Sequence, residues 1–155
     1  MVAAIGQVIA AGAAAFGLIF VGCQIRDARK TADLNALREF LRGVTEREDP
    51  LLNADSNEKK RQTFNEFLNF LEINAAADNR GLFPKTTRFI VVEKLCTSIA
   101  VIQEAPNWHG PFCEAVTSST TFVELGKFMK RNRKEINDRV AELRSKAATY
   151  TINPM

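Results

Sequence analysis

The sequence predicts an all-α protein in which an N-terminal transmembrane helix continues into a small cytoplasmic bundle of three to four helices. Three observations predict this class. Residues 2–22 carry no charge, apolar side chains further along recur every three or four positions, and Pro and Gly separate these periodic stretches. Apolar residues at that spacing share one face of an α-helix, whereas Pro and Gly interrupt helices.

The uncharged segment 2–22 has the length of a membrane span. At about 1.5 Å per residue it would extend about 31 Å, close to the thickness of the hydrocarbon core of a bilayer. Its small residues include a stripe on one helix face: Gly6, Ala10, Ala13 and Gly17. Because helices in lipid associate through close packing of small residues, this stripe predicts a transmembrane packing site. The alternative is that Ala and Gly are simply frequent in membrane helices.

The flanking charges predict the topology. Arg26, Arg29 and Lys30 follow the segment closely, and no Lys or Arg precedes Arg26. Positive charge collects on the cytoplasmic side of a membrane, so we expect the N-terminus outside and residues 24–155 in the cytoplasm. A cleavable signal peptide would begin with positive charge and have a shorter apolar core, which disfavours that alternative.

The remaining chain is long enough for one helical domain. The predicted boundaries are a transmembrane helix at 2–22, a juxtamembrane helix at 23–48, a cytoplasmic helical domain at 53–148 and a tail at 149–155. Gly43 and Pro50 predict the end of the juxtamembrane helix. Three cysteines at wide spacing argue against a disulfide framework and fit reduced thiols packed at the membrane boundary and in a core.

Helix signals place the elements of this domain. A capping arrangement at Asp55 or Ser56 predicts the start of a helix that runs to about Ala77 and is closed by Gly81. A further helix follows Pro84. The β-branched run within it could form a strand, but its length favours a helix.

The C-terminal part is predicted to form a loop at 105–111 and then a helix over 112–148, broken near 117–121. Thr121 and Glu124 have the spacing of a capping box at that break. Beyond it, Met129, Asn132 and Ile136 lie on a stripe with nearly heptad spacing. They could form an oligomer seam with Asn132 fixing the register, or the helix could simply pack on its own domain.

A basic cluster lies on the same helix and consists of Lys127, Lys130, Arg131, Arg133 and Lys134. It could contact anionic lipid or another polyanion, and a solvated helix face is the default interpretation. The net charge of +3 gives no global signature of polyanion binding. Phe128 is the one aromatic residue among these cations, which disfavours nucleic acid.

No constellation in the sequence predicts catalysis. His109 is the single histidine and follows Trp108 in the predicted loop, away from thiols that could join it in a metal site. Glu72, Glu93 and Glu104 are each isolated, and no glycine-rich phosphate loop occurs. We therefore expect no cofactor, no metal and no enzymatic activity.

One resemblance adds to this interpretation. The chain has Gln24-Ile-Arg26 at the end of the first segment, Phe67-Leu-Asn-Phe-Leu-Glu72 in the second helix and Arg131-Asn-Arg133 in a basic terminal helix. In this pattern it resembles a widespread group of short bacterial membrane proteins classed only as a domain of unknown function. The resemblance implies a bacterial inner membrane and a helical cytoplasmic domain, and it assigns no catalytic residue.

The sequence thus predicts a non-enzymatic, single-pass accessory or scaffold subunit of a bacterial inner membrane. It would contact membrane lipid and dock on a membrane-protein partner through the small-residue stripe and the cytoplasmic domain. One alternative is a homo-oligomeric sensor that uses the C-terminal helix as a coiled coil. A second is a membrane-tethered nucleic-acid binder, and a third is a membrane-bound enzyme that uses His109 with residues distant in sequence.

Overall fold

The computed structural model describes the backbone of residues 2–53, 56–118 and 120–152 and the side chains of residues 20–51, 56–118 and 120–148. Within these ranges the chain forms six α-helices and no β-strand, which confirms the predicted all-α class. The helices are α1 (Val2–Asn53), α2 (Asn57–Asn79), α3 (Lys85–Glu104), α4 (His109–Thr117), α5 (Val123–Arg131) and α6 (Arg133–Ile152). The break predicted near 117–121 separates α4 from α5, but a second break at Asn132 separates α5 from α6, so the predicted number of three to four helices is too low.

The chain divides into two compact units, Met1–Glu39 and Phe40–Met155. In the first unit the side chains of Phe20, Ile25 and Leu34 are exposed. In the part of the chain that the structure describes, no helix is both long enough and apolar enough to cross a membrane.

The predicted packing stripe of the N-terminal segment falls on residues whose side chains are not described. These are Gly6, Ala10, Ala13 and Gly17. The predicted packing site therefore lies outside the described residues.

Helix α1 extends beyond its predicted end at residue 48. Gly43 lies inside the helix, where a β-carbon would approach Phe70 Cε2 to 2.9 Å. The glycine therefore serves the close approach of α1 to the Phe70 ring and does not end the helix. Pro50 falls in the last turn, where its missing N–H removes a single backbone bond, and the buried Leu51 holds that turn on the bundle.

Helix α2 follows its sequence signals closely. Ser56 is the N-cap and accepts a hydrogen bond from the Lys59 backbone N–H at 3.2 Å, as expected from the capping arrangement. Gly81 has φ of +67° just after the helix, a conformation that favours glycine, and this confirms the predicted end.

The core of the second unit is built by pairing distant helices, with α2 on α5 and α3 on α6. Helix α2 buries apolar side chains that recur every three or four positions, namely Phe64, Phe67, Leu68, Leu71 and Ala75, as expected for one helix face. The fully buried large side chains of the bundle are Val44, Phe67, Leu68, Leu71, Val91, Leu95, Cys96, Ile99, Ile102, Phe112, Leu125 and Phe128. At about 1.5–3 kcal/mol for each large apolar side chain, these residues supply the main driving force for folding.

Ion pairs connect the same helices at their edges. Arg139 of α6 donates to Glu93 of α3 at 2.7 Å. Arg144 of α6 holds both carboxylate oxygens of Glu104 at 2.8 and 2.9 Å. This paired hydrogen bond lowers the pKa of Glu104 and raises that of Arg144.

One carboxylate joins three helices inside the bundle. The side chain of Asp78, near the end of α2, is fully buried. It accepts a hydrogen bond from Arg88 Nε of α3 at 2.6 Å and another from Arg131, the last residue of α5. Each arginine keeps nearly half of its side chain exposed, so the two guanidinium groups neutralise the buried charge from the bundle surface.

We predict that Asp78→Asn destabilises the protein by about 2 to 3 kcal/mol. The substitution preserves the shape of the side chain and removes the charge that both arginines contact. This cost lies below the range typical of a fully buried pair because both arginines can regain water. Urea unfolding of the full-length protein, followed by circular dichroism, measures the change.

The matched control is Asp138→Asn, because Asp138 is exposed on α6. We expect it to change the free energy of unfolding by less than about 0.5 kcal/mol. Equal effects of the two substitutions would show that Asp78 has no special role.

Candidate functional site

A groove of about 700 Å³ lies where the end of α3 meets α4, α5 and α6. Its apolar lining comes from Val116, Val123, Met129 and Ile136, and its basic lining from Lys127, Lys130 and Arg133. Ile136 is 3% exposed and forms the floor, whereas the three cations are exposed and form the rim. We call this site the basic groove.

The turn before α5 positions one wall of the basic groove. Phe122 precedes the helix in a left-handed conformation, with φ of 55° and ψ of 38°. The predicted capping box is wrong, because no side chain of this turn caps α5. Instead, the Glu72 carboxylate of α2 accepts hydrogen bonds from the backbone N–H groups of Glu124 at 3.0 Å and Leu125 at 2.6 Å. A carboxylate at a helix N-terminus is favoured by the free N–H groups and the helix dipole.

A second residue of α2, Asn79, also holds this turn in place. Asn79 Nδ2 donates to the backbone carbonyl of Glu124 at 2.9 Å and to its carboxylate at 2.8 Å. Lys127 donates to the other carboxylate oxygen of Glu124 at 2.6 Å. The bond from Lys127, followed by that from Asn79, lowers the pKa of Glu124. Helix α5 is therefore held at its start by Glu72 and Asn79 and at its end by Asp78.

The predicted basic cluster is divided by the structure into two groups. Arg131 is bound to Asp78 and Lys127 to Glu124, so both serve the fold. Lys130, Arg133 and Lys134 are exposed and form no ion pair with any described residue. The free positive charge of the cluster thus lies along the basic groove and the first turn of α6.

The predicted oligomer seam is interrupted. Asn132 lies outside both helices, between α5 and α6, and its side chain donates to the Phe128 carbonyl at 2.9 Å. Met129 and Ile136 line the basic groove on either side of this break. Ile136 is buried inside the bundle, which agrees with the alternative that this helix packs on its own domain. Self-association stays a prediction.

The three residues predicted to set the topology lie on α1. The side chains of Arg26, Arg29 and Lys30 are exposed, and Lys30 Nζ lies 4.0 Å from a carboxylate oxygen of Asp27. Their function in setting the topology stays a prediction.

His109 lies at the start of α4 and has a partner that sequence reasoning missed. Its Nδ1 lies 2.7 Å from the Gln103 backbone carbonyl, and its Nε2 lies 3.7 Å from Cys113 Sγ. The spacing of four residues could have revealed this pair, but the loop predicted over 105–111 concealed the helix. A separate cavity of about 580 Å³ adjoins His109 and the Glu104–Arg144 ion pair.

The thiols differ in environment. Burial raises the pKa of the Cys96 thiol to about 12, with a smaller contribution from the Glu135 charge. Cys23 and Cys113 are exposed, and all three cysteines are free. The expectation that Cys113 is packed in the core is wrong, because α4 buries its neighbour Phe112 instead.

Trp108 packs on Phe64 near the start of α2. Its ring stacks on Phe64, with the ring centroids 4.7 Å apart. This pair lines a cavity of about 810 Å³ that also contains Lys60, Arg61 and Glu114. Charges of both signs line that cavity, so it has less charge preference than the basic groove.

In the part of the chain that the structure describes, no group of three or more His, Cys, Asp or Glu residues could hold a metal ion. No protein-family model matches the chain, and neither a curated protein nor a solved structure is similar to it.

We predict that Glu72→Gln destabilises the protein by about 1 to 2 kcal/mol, since the amide can replace only one of the two bonds to the α5 backbone and carries no charge. Hydrogen exchange of the full-length protein should show reduced protection of the amides of Glu124 and Leu125. The control is Glu66→Gln on the exposed face of α2, for which we expect no change. Unaltered protection in Glu72→Gln would contradict the capping role.

Proposed function

We propose that this chain is a non-enzymatic, single-pass accessory subunit of a bacterial inner membrane that docks on a membrane-protein partner. In this proposal residues 2–22 form the anchor, the N-terminus lies outside and residues 24–155 lie in the cytoplasm. The observation that carries it is the basic groove, which combines an apolar floor with free cations at its rim.

The basic groove has the properties of a helix-docking site. Amphipathic helices bind in grooves through apolar anchors spaced three and four residues apart. Val123 and Met129 offer accessible apolar surface to such anchors, and Lys130 and Arg133 are positioned to pair with carboxylates beside them. We therefore commit to one occupant: an amphipathic helix with acidic flanks, in the cytoplasmic part of the partner.

The groove is also well supported as a preformed surface. Helix α5 is fixed at its N-terminus by Glu72 and at its C-terminus by Asp78, both from α2. A rigid groove loses little conformational freedom on binding, which favours affinity for a helical ligand.

The anchor half of the proposal rests on the sequence. An uncharged segment of about 31 Å, followed by Arg26, Arg29 and Lys30, has the length and charge flank of a membrane span. The small-residue stripe would give the partner a second contact within the bilayer. Two linked contacts bind together more tightly than either alone, because the second is then an intramolecular event.

We predict that Lys130→Glu combined with Arg133→Glu weakens docking roughly tenfold, since exposed ion pairs contribute up to about 1 kcal/mol each. A photoreactive phenylalanine analogue in place of Met129 reports on occupancy of the basic groove. Mass spectrometry of the crosslinked product should identify a peptide from an acidic amphipathic helix of a membrane protein, and the charge reversal should reduce its yield.

The control is the pair Lys59→Glu and Lys85→Glu, because both lysines are exposed and distant in sequence from the basic groove. Their reversal should leave the crosslink unchanged. A crosslink to lipid would favour a membrane-surface role for the cations, and one to a second copy of the chain would favour the homo-oligomer. Either result would contradict the docking proposal.

For the anchor, we predict that replacing Gly6, Ala10, Ala13 and Gly17 together with Leu prevents the partner from co-purifying in mild detergent. Bulky side chains on this face would keep the helix backbones apart. The control replaces Ala4, Ala11 and Ala15 with Leu, because helical spacing places these on the opposite face. Retained partner in the first variant, or equal loss in both, would contradict a packing function of the stripe.

A further inference from the structure

Cys113 and His109 form a thiol–imidazole pair on one face of α4. The separation of 3.7 Å between Cys113 Sγ and His109 Nε2 is a hydrogen-bond distance for sulfur. Both residues are exposed, so an external reagent can reach the sulfur.

The environment of His109 determines which nitrogen is free to accept a proton. The Gln103 carbonyl can only accept a hydrogen bond, and it lies 2.7 Å from His109 Nδ1. Nδ1 therefore carries the proton of the neutral ring, and Nε2 offers its lone pair to the Cys113 thiol. This is the arrangement of a nucleophile, a base and a group that orients the base.

Charged groups on two neighbouring helices face the imidazole. Glu104 of α3 and Arg144 of α6 line the same cavity as His109. The pKa of Glu104 is lowered chiefly by its hydrogen bond with Arg144, and the charge of His109 contributes as well. The ring of His109 thus borders an ion pair in which Arg144 balances the charge of Glu104.

We propose that Cys113 is a thiol–disulfide exchange site at which His109 acts as the base and a small, low-molecular-weight disulfide is the reactant. The proposal is independent of docking in the basic groove.

The exchange balances without any further reactant. The thiol proton moves from Cys113 Sγ to His109 Nε2, and the thiolate attacks one sulfur of the disulfide. The S–S bond of the reactant breaks as a new S–S bond to Cys113 forms. The departing thiolate takes the proton from His109 and leaves as a thiol, so one disulfide is consumed and one mixed disulfide is formed.

The test measures the rate at which oxidised glutathione modifies the full-length protein at pH 7, with the modified residue identified by peptide mass mapping. We expect Cys113 to react roughly tenfold faster than an exposed thiol without a base, a modest effect for a positioned base because water surrounds the pair. His109→Gln should reduce the rate by the same factor. Cys96 should stay unmodified because it is buried.

The matched control is the double variant Cys113→Ser with Glu114→Cys, which moves the thiol to the next position of the same exposed helix. Removing the Glu114 carboxylate tends to increase thiolate formation, so this control is a demanding one. Equal rates for the wild-type protein and this control would overturn the proposal. So would an unchanged rate in a folded His109→Gln variant, and if that variant does not fold, the wild-type comparison decides alone.

Discussion

The buried carboxylate of Asp78 is the constraint on which the arrangement of the bundle depends. A charged group removed from water costs several kcal/mol unless partners neutralise it. Asp78 obtains these partners from two different helices, Arg88 of α3 and Arg131 of α5. The apolar faces of α2 and α3 consist of generic Phe, Leu and Ile side chains that could pack in several ways. A packing that brings both arginines to Asp78 avoids the cost of the isolated charge, so the ion triad favours this arrangement over others that would bury Asp78 without partners.

Four other carboxylates of the bundle also connect helices. Glu72 caps α5, Glu93 and Glu104 connect α3 to α6, and Glu48 of α1 accepts bonds from Lys94 and Ser98 of α3. Each joins two helices. None of these carboxylates is free to act as an acid or base at the basic groove. The charged side chains that line the groove are Lys127, Lys130 and Arg133, which is why we propose an acidic ligand for it.

The features that were predicted correctly are those that depend on residues close together in the sequence. The stripe of α2, its Ser56 cap and the turn at Gly81 each depend on residues within a few positions of one another. The missed features depend on residues far apart, such as Glu72 and Leu125 at a separation of 53 positions. The break at Asn132 was hidden because apolar residues on both sides of it face the same layer of helices, so the periodicity continues across it. The His109–Cys113 pair was hidden by Pro111, which a first helical turn tolerates because its N–H would have no partner there.

The large sequence separations between paired helices also determine the order in which contacts can form during translation. The partner of Asn79, Glu124, follows 45 positions later in the chain, and the α5 partner of Asp78, Arg131, follows 53 positions later. At about 5–20 residues per second, translation needs about 3 to 10 s to supply them. During that interval the newly made α2 exposes apolar side chains such as Phe67 and Leu71 without α5, the helix that packs on α2 in the finished bundle. The nascent chain must therefore keep an apolar helix in solution, or on a chaperone, until its last third has left the ribosome.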